Sequence, residues 1–149
     1  SLAYQRYTEE VTLKPGVEEF LRYGKENGIL FGIATSNGRT LAEAALKALQ
    51  IDTYFTAMRT SGEVNVGKPS PDIYLKVAED MQVRPEHCLV FEDVPMGILA
   101  GKRAGMQVCA VYDEFSRPLD QEKKKLADYY IHDFHDVMDR IKERNTDGK

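Results

Sequence analysis

Tryptophan is absent from the 149 residues, cysteine occurs twice, and no apolar run extends beyond a few residues. The two cysteines, Cys88 and Cys109, lie inside separate apolar runs and form no Cys-x-x-Cys. Buried, reduced thiols of a cytoplasmic protein are therefore expected. The longest apolar stretch, Ile29 to Ala34, is far too short to cross a bilayer, and no charged-then-apolar leader precedes it. No membrane partner is expected. A clustered basic face is missing too: net charge is −4. The run Lys123-Lys124-Lys125, set between Glu122 and Asp128, reads as a solvated helix face, so no nucleic-acid partner is expected. There is no low-complexity tract, and 42% hydrophobic with 30% charged residues is the composition of a soluble globular chain. Ser1 opens directly into helical sequence without an initiator Met, a start that reads as cut.

What is present is an alternation. From Leu13 onward, apolar period-2 or continuous runs alternate with amphipathic stretches, the pattern of an α/β fold with a parallel sheet in one domain. Lys14-Pro15-Gly16 opens a helix through about Asn27, with Val17, Phe20 and Leu21 on one face and Gly28 ending it. A strand is predicted at Ile29 to Thr35. Ser36-Asn37-Gly38 can cap the following helix, in which Leu41, Ala44, Ala45, Ala48 and Leu49 fall at helical spacing. Tyr54 to Met58 reads as a strand, Ser61 to Pro71 as a long loop, and Asp72 to Met81 as a helix. Then come a strand at Cys88 to Glu92, a helix from Pro95 to Gly105 and a strand at Gln107 to Tyr112. A helix around Leu119 to Ala127, a short strand at Tyr129 to Ile131 and a helix from about Phe134 complete the order.

In a parallel α/β sheet, ligands bind beyond the carboxyl ends of the strands, and three polar groups stand there. Thr35-Ser36-Asn37 joins hydroxyls and backbone N–H groups to a helix start, which suits either a plain cap or a phosphate cradle. Lys68, framed as Gly67-Lys68-Pro69-Ser70-Pro71, sits in a loop stiffened by prolines. Gly67 is expected to supply unusual backbone freedom there, so that the ammonium points inward. Glu92-Asp93 closes a buried strand. Adjacent buried carboxylates repel each other and lose solvation, so they persist best where a cation shares them, and Mg²⁺ suits one or two carboxylates with a phosphate oxygen.

In this order and strand context, the three groups resemble motifs two, three and four of the haloacid dehalogenase superfamily. Gly67-Lys68-Pro69-x-Pro71 and Phe91-Glu92-Asp93-x-Pro95-x-Gly97-x-x-Ala100-x-x-Ala104-Gly105 carry the resemblance, which covers about Leu13 to Tyr112. It is strongest to the β-phosphoglucomutase-like branch, which includes sugar-phosphate phosphatases and mutases. The resemblance implies a Rossmann-like core with helices on both faces. It implies that Thr35, with Ser36 and Asn37, binds the transferring phosphoryl group, and that Lys68 neutralises charge on phosphate and nucleophile. Asp93 with Glu92 would hold Mg²⁺ directly or through water. The substrate would be a small phosphorylated metabolite.

The family's first motif, a strand ending in Asp-x-Asp whose first Asp is phosphorylated, has no counterpart here: the sequence contains no Asp-x-Asp. Residues 1–12 then read as the end of the family's cap domain and its linker, and 13–149 as a partial core without its central first strand. Three expectations follow. The chain alone should lack phosphatase activity; the strands at Ile29 and Cys88 should pair directly unless another chain fills the gap; and the exposed edges should favour self-association. A non-catalytic module binding phosphate or a partner protein is the alternative reading. His132, Asp133, His135 and Asp136 read as a helix start rather than a metal site. Tyr4, Tyr7 and Tyr23 read as packing or linker residues.

Overall fold

The computed structural model describes residues 14–147; the expected cap remnant, with Tyr4 and Tyr7, lies outside them. Eleven regular elements alternate along the chain: α1 Val17–Glu26, β1 Phe31–Thr35, α2 Arg39–Ala48, β2 Phe55–Thr60, α3 Asp72–Met81, β3 Leu89–Glu92, α4 Pro95–Arg103, β4 Gln107–Val111, α5 Asp120–Leu126, β5 Tyr129–Ile131 and α6 Phe134–Asp147. The expected α/β order holds. Several ends are set by local chemistry: Gly28 at φ 77° and Gly105 at φ 81° terminate α1 and α4 in left-handed geometry, and Pro95 occupies the first turn of α4.

All pairing is parallel. β1 pairs with β2, aligning Thr35 with Thr60, and β3, β4 and β5 form a second ladder in that order. Side chains alternate across these strands as the two-residue period requires. Phe31 and Ile33, with Phe91, Cys109, Val111 and Ile131, face α1, α2 and α6. Gly32, Ala34, Val90, Val108 and Ala110 face α3 and α4. The sheet is thus covered on both sides, and its strands need no polar face.

The direct pairing expected between the strands near Ile29 and Cys88 is not found, because β1 and β3 belong to separate ladders. Side chains join them instead. Phe20 of α1 lies 5.6 Å from the Phe31 ring and 5.4 Å from the Phe91 ring, centroid to centroid, and also touches Phe134. On the opposite face Ala34 packs into the cluster built on Val90, Ile98 and Ile73. Helices over both ladders hold the two halves in register without a backbone ladder between them.

Four finer expectations are corrected. The buried stripe of α2 is Ala42, Ala45 and Leu46, with Leu41 and Ala44 exposed; Leu46 docks against Leu21 and Ile51, which rotates the helix by one position. Ser36 and Asn37 do not cap α2, whose N-cap is Gly38 without any side-chain bond. Lys123 is not on a solvated face but wholly buried. Cys109 is buried as expected, whereas Cys88 is partly exposed. At α6, Asp133 and Asp136 accept hydrogen bonds from the backbone N–H groups of His135 and His132, as a helix start would use them. Tyr23 packs against the cluster around Phe20.

Phe20→Ala should lower stability by about 3–5 kcal/mol, the usual cost of truncating a buried phenylalanine. The exposed Met96→Ala should cost less than about 1 kcal/mol. Urea unfolding followed by circular dichroism separates the two.

Candidate active site

Glu92 ends β3 on the same face as Val90, so the alternation that buries Val90 also directs the Glu92 carboxylate between α3 and α4. The side chain is only 10% exposed there. Three donors meet it. Lys68 Nζ lies 2.9 Å from Oε2, the Tyr74 hydroxyl 2.6 Å from the same oxygen, and the Asp93 backbone N–H donates to Oε1 at 3.1 Å. The Lys68 ammonium also stands 5.2 Å from the centre of the Tyr74 ring. Gly97 in the first turn of α4 leaves the space, since a Cβ at that position would overlap the Glu92 carboxyl group.

This arrangement drives the two neighbouring acids in opposite directions. Burial alone would raise Glu92, but the Lys68 charge and the bonds from Tyr74 and Lys68 outweigh it and hold the carboxyl below its ordinary range. Asp93 has no such partner. Burial and then the negative charge of Glu92 push it up to about 7, with Lys14 opposing the rise. Burial and the Glu92 charge also keep the Tyr74 hydroxyl protonated, so it remains a donor.

The loop carrying Lys68 is fixed at several points. Thr60 and Glu63 form a reciprocal capping box at its start, and Arg39 binds Glu63 at 2.9 Å and the Met58 carbonyl at 2.7 Å. Later the Ser70 N–H donates to the Gly67 carbonyl, and Arg103 donates to the Pro69 carbonyl. Gly67 does not have the expected role: its φ is not positive and a Cβ there would meet open space. Lys68 is held by Glu92, Tyr74 and the turn around it.

Thr35 closes β1 and is 6% exposed, with its Oγ1 accepting the Asn37 N–H at 3.1 Å. That bond leaves the hydroxyl proton of Thr35 available to another acceptor. Among the described residues, no hydrogen bond joins Thr35, Ser36 or Asn37 to Lys68, Glu92 or Asp93. Both groups nonetheless occupy the same end of the fold. Gly32, early in β1, lies against Val77 and Met81 late in α3, so α3 starts near the carboxyl end of β1 and runs back toward its beginning; its early residue Tyr74 meets the end of β3. The carboxyl ends of β1 and β3 therefore flank the start of α3.

Two adjacent acids, one neutralised by lysine and one with its proton affinity raised by burial, suit a divalent cation at the second. Among the described residues no group of three or more His, Cys, Asp or Glu is arranged to hold a metal. Asp93, with Glu92 behind it, could hold a cation such as Mg²⁺, which needs only one or two carboxylates when water and a phosphate complete its shell. Sequence reasoning missed Tyr74. Tyr74 could be suspected only from its place one turn into the helix after Pro71.

The family model for haloacid dehalogenase-like hydrolases matches residues 2–105. The chain belongs to that family. It is 39% identical over 101 residues to a phosphorylated carbohydrates phosphatase of Thermotoga maritima, covering 68% of this chain and 47% of the relative. With hexitol phosphatase A of Escherichia coli the identity is 33% over 133 residues, 87% of this chain and 58% of the relative. Among solved structures, a β-phosphoglucomutase from Clostridium difficile superposes with a TM-score of 0.72 at 28% identity, covering 89% of this chain and 56% of the other. This chain spans about half the length of the curated relatives it matches.

Gly97→Ala should cost about 1–3 kcal/mol through overpacking against Glu92, whereas Gly67→Ala should be near neutral; thermal melts of both check this. A second prediction concerns pH. The folded value of Asp93, about 7, lies above its unfolded value near 4. The folded chain therefore favours protonated Asp93, and its contribution is fully present below about pH 4 and lost as pH rises through about 7. Without metal, Asp93→Asn should gain stability relative to the parent chain across that window, by a few degrees in Tm at pH 8 and little at pH 4.

Proposed function

We propose that this chain forms most of the catalytic core of a Mg²⁺-dependent phosphoryl-transfer enzyme acting on a small phosphorylated carbohydrate. The observation that carries the reading is the Lys68–Glu92–Asp93 constellation: an ammonium fixed in the loop before α3, set against a pair of carboxylates at the end of β3. Family membership and the carbohydrate phosphates in the names of its relatives support the substrate class.

The residues divide the work as follows. Lys68 spends one N–H on Glu92 and keeps two for a phosphoryl oxygen and the attacking carboxylate, lowering the repulsion between two anions. Thr35, its hydroxyl oriented by the Asn37 N–H, donates to a second phosphoryl oxygen, with the Ser36 backbone beside it. Glu92 does not leave its three donors; it keeps the Lys68 side chain aimed. Asp93 would hold Mg²⁺, which when bound supplies charge stabilisation to the transferring group. The nucleophile is an aspartate of an Asp-x-Asp that this sequence does not contain.

Two assays test this. The 149-residue chain alone, given Mg²⁺ and an aryl phosphate, should show no turnover above buffer; family-like turnover would refute the assignment of the nucleophile. In the polypeptide that joins this chain to its Asp-x-Asp segment, hexitol and hexose phosphates should be hydrolysed or isomerised. There Lys68→Ala should lower kcat by about 10²–10³-fold, as loss of a transition-state charge partner does. Full activity of that variant would contradict the role of Lys68, and a binding-only module would show no turnover in either form.

A further inference from the structure

Lys123 is the largest wholly buried side chain among the described residues, and nothing in the proposed reaction uses it. A buried ammonium is costly unless its donors are filled. Here they are: Nζ donates to the Val111 carbonyl at 2.7 Å and to Ser116 Oγ at 3.1 Å, and Asp120 stands 3.7 Å away. The other charged groups bearing on it are Asp93, Asp113 and Lys14. Val111 ends β4, so the ammonium sits at the same end of the sheet as Asp93, which follows the last residue of the neighbouring β3.

Ser116 connects the two. Its hydroxyl accepts from Lys123 and donates to the Asp93 carbonyl at 2.9 Å. Asp93 and Val94 alone link β3 to α4, so that short connection has little backbone to spare. Both polar groups of the Asp93 main chain are taken by side chains: its N–H by Glu92, backed by Lys68 and Tyr74, and its carbonyl by Ser116, backed by Lys123. With the main chain pinned from two sides, only side-chain rotation remains to aim the carboxylate.

We propose that Lys123 is a positioning residue of this site, its buried ammonium acting through the Ser116 hydroxyl to fix the peptide of Asp93. The inference rests on the reading of Asp93 given above as the acid that holds the cation, and extends the site to α5. An ammonium is favoured over a neutral group because it holds the strand-end carbonyl, the serine and Asp120 together from one point.

The test uses the metal-free 149-residue chain and nuclear magnetic resonance. Ser116→Ala cuts the link and keeps the ammonium; Lys123→Met removes the ammonium and keeps the hydroxyl. Both should shift the Asp93 carbonyl ¹³C resonance in the same direction, and the double variant should move it no further, as members of one chain do. A Lys123→Met protein in which that resonance stays put while Ser116→Ala moves it overturns the proposal. Should Lys123→Met fail to fold, the parent protein decides: a slowly exchanging Lys123 ammonium signal with a through-space contact to Ser116 is expected, and its loss to rapid exchange overturns the proposal. Mn²⁺ titration then separates the two readings. If the parent binds Mn²⁺, both single variants should bind about 10–100-fold more weakly, the usual effect of removing an outer partner of a ligand, and unchanged affinity counts against positioning. A parent chain that binds none refutes the cation reading of Asp93 and leaves the carbonyl shifts to decide the link.

Discussion

A carboxylate at the end of a buried strand would ordinarily be a defect, and the fold around Glu92 is organised to make it tolerable. Lys68 neutralises it, Tyr74 and the Asp93 N–H fill its remaining lone pairs, and Gly97 gives it room. Each of those groups comes from a different segment: the 61–71 loop, α3, the β3–α4 connection and α4. The ion pair therefore does more than offset desolvation. It ties four segments to one point, and breaking it from either side would leave a buried charge uncompensated, which is strongly destabilising.

The same pair sets the chemistry of its neighbour. Because Glu92 takes Lys68, Asp93 is left beside a negative charge whose effect, with burial, the more weakly acting Lys14 does not offset. Two adjacent acids thus acquire different surroundings: Glu92 is the counter-ion of Lys68, and Asp93 is the carboxylate we propose to hold the metal. Thr35 completes the end of the fold from the other ladder. Its position depends on α3, the helix that touches β1 with its later residues and Glu92 with its first turn.

Much of this was legible in the sequence, for identifiable reasons. Strand and helix order followed from periodicity, and Gly28, Pro95 and Gly105 marked ends because left-handed or first-turn geometry admits few other residues. Lys68, Glu92 and Asp93 stood out in the sequence because a lysine in a proline-framed loop and paired acids closing a buried strand have few structural uses, and the fold brings Lys68 and Glu92 into contact. What stayed hidden depends on tertiary packing. The one-position rotation of α2 is decided by where Leu46 meets Leu21, which no helical spacing reveals. Lys123 looked solvated because its neighbours Lys124 and Lys125 are; only the fold shows that this one member of the run points at the end of β4. The bridging of β1 and β3 by the Phe20 ring, which contacts both Phe31 and Phe91, is likewise a product of tertiary packing.

The central claim, that Lys68 and Asp93 present one phosphate and one divalent cation to each other, is tested most directly by diffraction from crystals grown with Mn²⁺ and inorganic phosphate. An anomalous peak bonded to the Asp93 carboxylate, with phosphate within reach of Lys68 Nζ and the Thr35 hydroxyl, is the result this account predicts. Manganese bound elsewhere while Asp93 stays bare, or phosphate away from Lys68, would contradict it.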